Sequence, residues 1–295
     1  MNINTHNSHI VTGFEYHAPT SVEEAVKLLR EYGGEASALA GGTDLIVRMK
    51  DGSHRPKHVV NLKRIAGLAG IKETKEGISI GALTRIRDLE KSELVGKRLP
   101  VLQEAARTIG SVQIRNLATL GGNLCNASPC ADTAVALLAY DAVARIASPG
   151  GERTVPLDGF FKGPGATALE RGEILTGVSV PKPAKNTVGR WLRVARASMD
   201  IATISLAVTV RLKEGVAEDS RFAWGTVAPT PMRTKDVEAY VRGRKLDQAC
   251  IEKAAGLASR SIKPRESGRS RGPYKRRVAH GFVVEALTSI AEAQK

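Results

Sequence analysis

Apolar positions in this chain recur in two periods. Val22, Ala25, Val26 and Leu29 fall at i, i+3, i+4 and i+7, one face of a helix. Ser21 and Glu24 open it as a capping box, and Gly33-Gly34 stops it. The shorter runs around it, Phe14 to Tyr16, Ser37 to Ala40 and His58 to Leu62, read as strands. A helix over Asp44 to Met49 and a turn at Asp51-Gly52 complete a βαβ-like unit. Beyond Ala69 the strands Gly77–Gly81, Val143–Ala147, Arg153–Val155 and Glu173–Val180 surround two helices. One carries Leu102, Ala105, Ala106 and Ile109 and ends at Gly110; the other is the Ala/Leu-rich run Thr133 to Tyr140. Pro181-Lys182-Pro183 breaks the pattern. Strands over 190–196, 204–212 and 222–227 then precede helices over 235–242, 247–261 and 277–291. Blocks of this kind predict an α+β fold rather than one doubly wound sheet, with units at 1–67, 68–183 and 184–295.

Composition narrows the class. The chain has 295 residues, 42% hydrophobic and 4% aromatic, and no apolar run long enough to span a bilayer. Met1 to Ser8 is polar and lacks a secretory leader pattern, so a cytoplasmic location is expected. Cys125, Cys130 and Cys250 are too few and wrongly spaced for a disulfide scaffold, a zinc site or a cluster, so no metal is expected on this chain. The net charge of +14 concentrates at Arg260, Lys263, Arg265, Arg269, Arg271, Lys275, Arg276 and Arg277, against Glu266. A nucleic-acid or anion-binding module is one reading. With Tyr274 as the stretch's single aromatic and no helix-turn-helix or finger pattern, a solvated basic loop, or one docking on an acidic protein, is favoured.

The chemistry-bearing signal is a pair of glycine motifs. The first is Leu39-Ala40-Gly41-Gly42-Thr43-Asp44-Leu45; the second is Thr119-Leu120-Gly121-Gly122-Asn123, preceded by Gln113 to Ala118. Glycine lets successive backbone N–H groups approach an anion, and Thr119 and Asn123 add a hydroxyl and a carboxamide. Arg115 adds charge nearby. Either motif alone reads more readily as an ordinary turn needing positive φ, because glycine turns are common; two in succession suggest a cradle for the diphosphate of FAD. Neither is a Rossmann Gly-x-Gly-x-x-Gly or a Walker A loop. Asp132, following Ser128-Pro129-Cys130-Ala131, caps the helix that begins at Thr133, accepts hydrogen bonds from ligand hydroxyls, or does both.

These motifs, with Trp224-Gly-Thr-Val-Ala-Pro-Thr-Pro-Met-Arg233, resemble the FAD-binding medium subunit of the molybdenum hydroxylases, the xanthine dehydrogenase and carbon monoxide dehydrogenase type, over nearly the whole chain. The resemblance implies a vanillyl-alcohol-oxidase-type FAD-binding fold in two subdomains, followed by a C-terminal α+β domain. It implies FAD contacts from Leu39 to Leu45 and from Thr119 to Asn123, with Ile109 lining the site. Asp132 would bind cofactor hydroxyls, Leu175 would contact FAD through its backbone, and Trp191 would approach the flavin ring. Many relatives carry lysine after that aromatic; here Leu192 stands there, which puts the flavin's tuning and its acceptor in question. The glycine motifs hold no histidine, against covalent flavin attachment.

The resemblance further implies an electron-transfer subunit with no acid–base catalytic residue of its own. Its partners would be a large molybdenum-cofactor subunit and a small subunit with 2Fe–2S clusters, in a dimer of heterotrimers. Electrons would reach FAD and then NAD+ or another acceptor. A self-contained FAD-dependent oxidoreductase is the alternative from the same cofactor class.

Overall fold

The computed structural model describes residues 11–264 and 271–293. Met1 to Ser8, and Arg265, Glu266 and Arg269 of the basic stretch, lie outside the described residues.

The first unit is built as a parallel sheet. Strands β1 (Glu15–His17), β2 (Ala36–Leu39) and β3 (His58–Asn61) pair in the order β1-β3-β2, with α1 (Val22–Tyr32) and α2 (Leu45–Lys50) as the crossovers. The Ser21 hydroxyl accepts from Glu24 N at 3.1 Å, and the Glu24 carboxylate reaches back one residue further than a capping box requires, to Thr20 N at 2.9 Å. Ala25 and Val26 are the fully buried members of the α1 face.

An antiparallel sheet follows. It comprises β4 (Ile71–Glu73), β5 (Gly77–Gly81), β6 (Val143–Ser148), β7 (Gly151–Pro156) and, past the small β8 (Phe161–Gly163) and β9 (Ala166–Thr167) ribbon, β10 (Ile174–Pro181). Its order is β4-β5-β10-β6-β7. Between β5 and β6 the chain leaves the sheet and forms six helices: α3 (Ile86–Lys91), α4 (Glu93–Arg98), α5 (Pro100–Arg107), α6 (Val112–Leu117), α7 (Leu120–Cys125) and α8 (Asp132–Leu138). A single turn of helix, α9 (Leu157–Phe160), follows β7. The largest core lies between these helices and the sheet, and the fully buried α8 runs through it.

The second glycine motif is therefore helical. Gly121 and Gly122 lie in α7, and of the motif glycines Gly42 alone has positive φ, at 75°. Helices α3, α4 and α6 have no counterpart in the periodic pattern: six residues complete fewer than two turns, too few for a spacing to repeat.

The last unit is a second antiparallel sheet backed by helices. Strands β11 (Thr187–Val194), β12 (Ile204–Lys213), β13 (Val216–Gly225) and β14 (Met232–Arg233) pair in sequence, and β15 (Arg244–Lys245) joins β13. Helices α10 (Lys235–Val241), α11 (Gln248–Ser261) and α12 (Gly272–Glu292) cover one face. Helix α12 starts five residues before the expected Arg277, with Pro273 in its first turn, where a missing N–H costs nothing. That start changes the reading of the basic stretch. Lys275 is buried and donates to Thr226 O at 2.7 Å, and Arg276 donates to Ser259 O at 2.7 Å. These two cations brace the fold instead of forming a solvated loop. Among the described residues no helix is long and apolar enough to cross a membrane.

Candidate functional site

The two glycine motifs face each other across a cleft of about 650 Å³. From the first unit, Ala40 to Leu45 line it, together with Ser37, Ala38, Arg48 and His54; from the second come Ile109, Ile114, Ala118, Thr119, Gly122, Asn123, Cys125 and Asn126. The walls touch at Gly41. A Cβ there would lie 2.2 Å from Leu117 O and 2.9 Å from Ala118 Cα, so only glycine lets the first motif seat against the end of α6.

The motifs do different work. Among the described residues, the backbone N–H groups of Gly41, Gly42, Thr43 and Asp44 have no acceptor within the chain. Four successive unpaired donors on a glycine turn that lines the cleft are available to an anion there. In the second motif the donors are already used. Leu120 N donates to Thr84 O at 2.9 Å, Gly121 N to Ala82 O at 2.7 Å, Gly122 N to Thr119 Oγ1 at 3.1 Å and Asn123 N to Thr119 O at 3.0 Å. Gly121 is glycine because a Cβ would meet Ala82 Cβ at 2.7 Å and Ala82 O at 2.8 Å. It serves the packing of α7 on the end of β5 and does not let an anion approach. What α7 offers the cleft is side-chain chemistry: the Thr119 hydroxyl proton, and the Asn123 amide NH2, whose oxygen accepts from Thr133 Oγ1 at 2.5 Å.

Arg115 does not supply the cleft's charge. It is buried, donating to Glu90 Oε2 at 2.8 Å and to the carbonyls of Ile109 and Gly110 at 2.9 and 3.0 Å. Burial would raise the Glu90 carboxyl, but Arg87 and Arg115 outweigh it and hold it below its ordinary value. The clamp fixes the turn that presents Ile109. Charge comes instead from Arg48, which sequence reasoning missed. Its Nη2 donates to Asn126 Oδ1 at 2.7 Å, and Asn126 Nδ2 donates to Asp44 Oδ1 at 3.1 Å, linking the walls. The signal for Arg48 was its place four residues after Asp44 on α2; nothing local marked Asn126. His54 also reaches the cleft from outside both motifs, bonded to Ser37 Oγ at 2.7 Å. Burial pushes the Cys125 thiol up to about 12, so it stays protonated.

The other expected residues lie outside the cleft lining. Leu39 is on β2 and packs next to Gly42, Leu120 is fully buried, and Leu175 is buried on β10. Asp132 is the first residue of α8 but caps nothing; Ala131 occupies the cap position. Its Oδ2 accepts from Arg193 Nε at 3.1 Å and from Thr108 Oγ1 at 3.3 Å, while its buried Oδ1 has no partner. Burial raises this carboxyl to about 6 despite Arg193. Trp191 lies on β11 against the large core, and its buried Nε1 is also unpartnered. Asp132 adjoins Thr133, which holds Asn123, and Thr108 adjoins Ile109. This polar cluster thus sits behind the cleft wall and connects it to β11.

The C-terminal unit is joined to the same place. Thr226 N donates to Pro129 O at 2.8 Å, and Trp224, fully buried, donates to Thr234 Oγ1 at 3.1 Å. The Trp224–Arg233 segment therefore docks on the loop leading to Asp132.

Unpaired amides, the Arg48 guanidinium and orphaned polar atoms behind the wall fit an elongated anionic cofactor with polar rings, as FAD is. Residues 12–183 match the family described as the FAD binding domain in molybdopterin dehydrogenase, and residues 192–290 match the CO dehydrogenase flavoprotein C-terminal domain. The chain is 37% identical to the carbon monoxide dehydrogenase medium chain of Hydrogenophaga pseudoflava, covering 94% of this chain and 96% of that one. It is 36% identical to the xanthine dehydrogenase FAD-binding subunit of Escherichia coli O157:H7, with 94% and 96% covered. A solved structure of the Hydrogenophaga pseudoflava carbon monoxide dehydrogenase contains a chain that superposes with a TM-score of 0.92 at 38% identity, over 96% of this chain and 99% of that one. Matches of this extent, on a fold whose two glycine motifs share one cleft, mean that the chain belongs to the family of FAD-binding medium subunits of the molybdenum hydroxylases.

Proposed function

We propose that this chain is the electron-transfer flavoprotein of a molybdenum hydroxylase complex. It would receive electrons from 2Fe–2S clusters on a small partner subunit and deliver them to NAD+ or another acceptor. A large molybdenum-cofactor subunit would oxidise the substrate, in a cytoplasmic dimer of heterotrimers. The observation that carries the reading is the run of unpaired amides at Gly41 to Asp44, facing Thr119 and Asn123 across the cleft. Bound FAD supplies the redox chemistry, because a flavin exchanges electrons singly or in pairs.

The chain's own residues bind and orient. Gly41 to Asp44 hold the diphosphate by their amides, and Thr119 and Asn123 donate from the opposite wall. Arg48 balances the charge. Asp132 Oδ1 and Trp191 Nε1, buried behind the cleft wall without partners, would meet the cofactor only where it reaches past that wall, the carboxylate at a hydroxyl and the indole at the ring end. Division at 67/68 and 183/184 puts the diphosphate between the first two units, with the third covering the Asp132 side. Relatives of similar identity are named for carbon monoxide and for xanthine. The substrate is therefore assigned to the large subunit and not to this chain.

The purified chain should be yellow, with two flavin bands released on denaturation. Reduction by substrate should need the co-expressed partner subunits. A colourless protein that takes up no FAD, or a chain that turns over a substrate alone, refutes the proposal.

A further inference from the structure

Outside the cleft lining, the first sheet brings together two imidazoles and a carboxylate. Parallel pairing sets Glu15 of β1 opposite His58 of β3, and His17, two residues along β1, returns to the same face. His17 Nε2 lies 3.2 Å from His58 Nδ1. Glu15 Oε2 lies 3.4 Å from His58 Nδ1 and 3.9 Å from His17 Nε2. A point equidistant from these three atoms falls about 2.1 Å from each, which is the Zn–N and Zn–O bond length. The rings are held in place. Tyr32 stacks on His58 at 3.7 Å between centroids and 9° between planes, and on His17 at 5.2 Å and 28°.

We propose that Glu15, His17 and His58 form a site for a divalent transition metal of the Zn2+ class. Two nitrogens and one oxygen at this spacing suit Zn2+ or Co2+ and not the all-oxygen shells of Ca2+ or Mg2+. The Glu15 side chain is 72% exposed, so water has access to a fourth position. Strand β1 is a three-residue edge strand held by β3 alone. The ion ties it to β3 and so stiffens the unit that carries Gly41 to Asp44. Without metal, the same atoms form a His–His hydrogen bond, which one imidazole N–H donates to the other ring.

The test uses the full FAD-loaded chain after chelator dialysis, titrated with Co2+ alone, read by its visible d–d absorption, and then with Zn2+ in competition. One equivalent should bind, and Zn2+ should displace Co2+ and raise the thermal midpoint. His17→Ala and His58→Ala should each weaken binding by at least about 100-fold. Glu15→Gln, on an exposed side chain that does not threaten folding, should weaken it by roughly 10-fold or more. His280→Ala, on α12 beside Glu252, should leave binding unchanged. Absence of a bound equivalent in the wild type, or unchanged affinity in Glu15→Gln and His17→Ala, overturns the proposal.

Discussion

Gly41→Ala is the sharpest perturbation of the cleft. The added Cβ would stand 2.2 Å from Leu117 O and 2.9 Å from Ala118 Cα, both backbone atoms that cannot rotate aside. The shortfall from a tight contact is about 1 Å, so the first motif must withdraw from the end of α6 by that distance, or the strain stays in place. Overpacking of this kind costs about 1–3 kcal/mol. If opening the walls relieves it, the amides at 41–44 and the donors at 119 and 123 no longer span one diphosphate, and FAD affinity falls about 5- to 150-fold. If the walls hold, the apo protein loses the same energy and its thermal midpoint drops. The assay is FAD titration by quenching of flavin fluorescence, with thermal melts of apo and loaded protein. Gly34→Ala is the control, because a Cβ there has nothing within 4 Å. Gly41→Ala with wild-type affinity and wild-type melting would show that the two motifs do not meet at Gly41.

Three further outcomes follow from the same geometry. Asp132, raised by burial to about 6 from 3.8, keeps its proton in the native state over roughly pH 4–6, where the unfolded chain has released it. Apo stability from this group therefore falls as pH rises through that window and levels off above it, by at most about 3 kcal/mol, and Asp132→Asn should remove this falling contribution from pH-dependent denaturant melts, leaving the rising one of the depressed carboxyls of Glu90, Glu173 and Asp219. Thr119→Val removes the hydroxyl that caps α7 and should cost about 1 kcal/mol in denaturant unfolding, with weaker FAD binding. Arg48→Ala and Asn126→Ala should be non-additive in FAD titrations, with a coupling of about 1 kcal/mol, because each loses the same link between the walls.

Legibility in the sequence followed length and reach. Helix α1, with eleven residues and a capped start, shows its face in the spacing of its apolar residues. Helices α3, α4, α6 and α7 are six residues each and leave only caps at Ser92, Ser111 and Thr119 as local signs. The glycine motifs marked the cleft, but glycine says only that something comes close. At Gly41 it is the backbone of 117–118, and at Gly121 it is Ala82. A valine at 121 would therefore damage the seating of α7 before it touched a phosphate. The Glu15, His17 and His58 cluster escaped the sequence rules for the reason that hid Asn126. His58 lies 41 residues beyond His17 and meets it and Glu15 through strand pairing, which no local spacing records.

Leu192 shows how a strand's alternation decides which substitutions matter. A lysine at 192, as the resemblance leads one to expect, would bear on the flavin only if that side chain faced it. On β11, Val188, Leu192 and Val194 pack into the C-terminal core, and Arg190 on the same face donates to Ser289 of α12 at 2.7 Å. The opposite face carries Gly189, whose missing Cβ makes room for Val101, then Trp191 and Arg193. Residue 192 thus belongs to the sheet–helix interface, and a leucine there adds to that core. The charge that reaches the Asp132 cluster from β11 is the Arg193 guanidinium, buried at 10% exposure beside a carboxylate at 4%. The electrostatics of the Asp132 cluster are set by the Arg193–Asp132 pair, one residue along and one face over from Leu192.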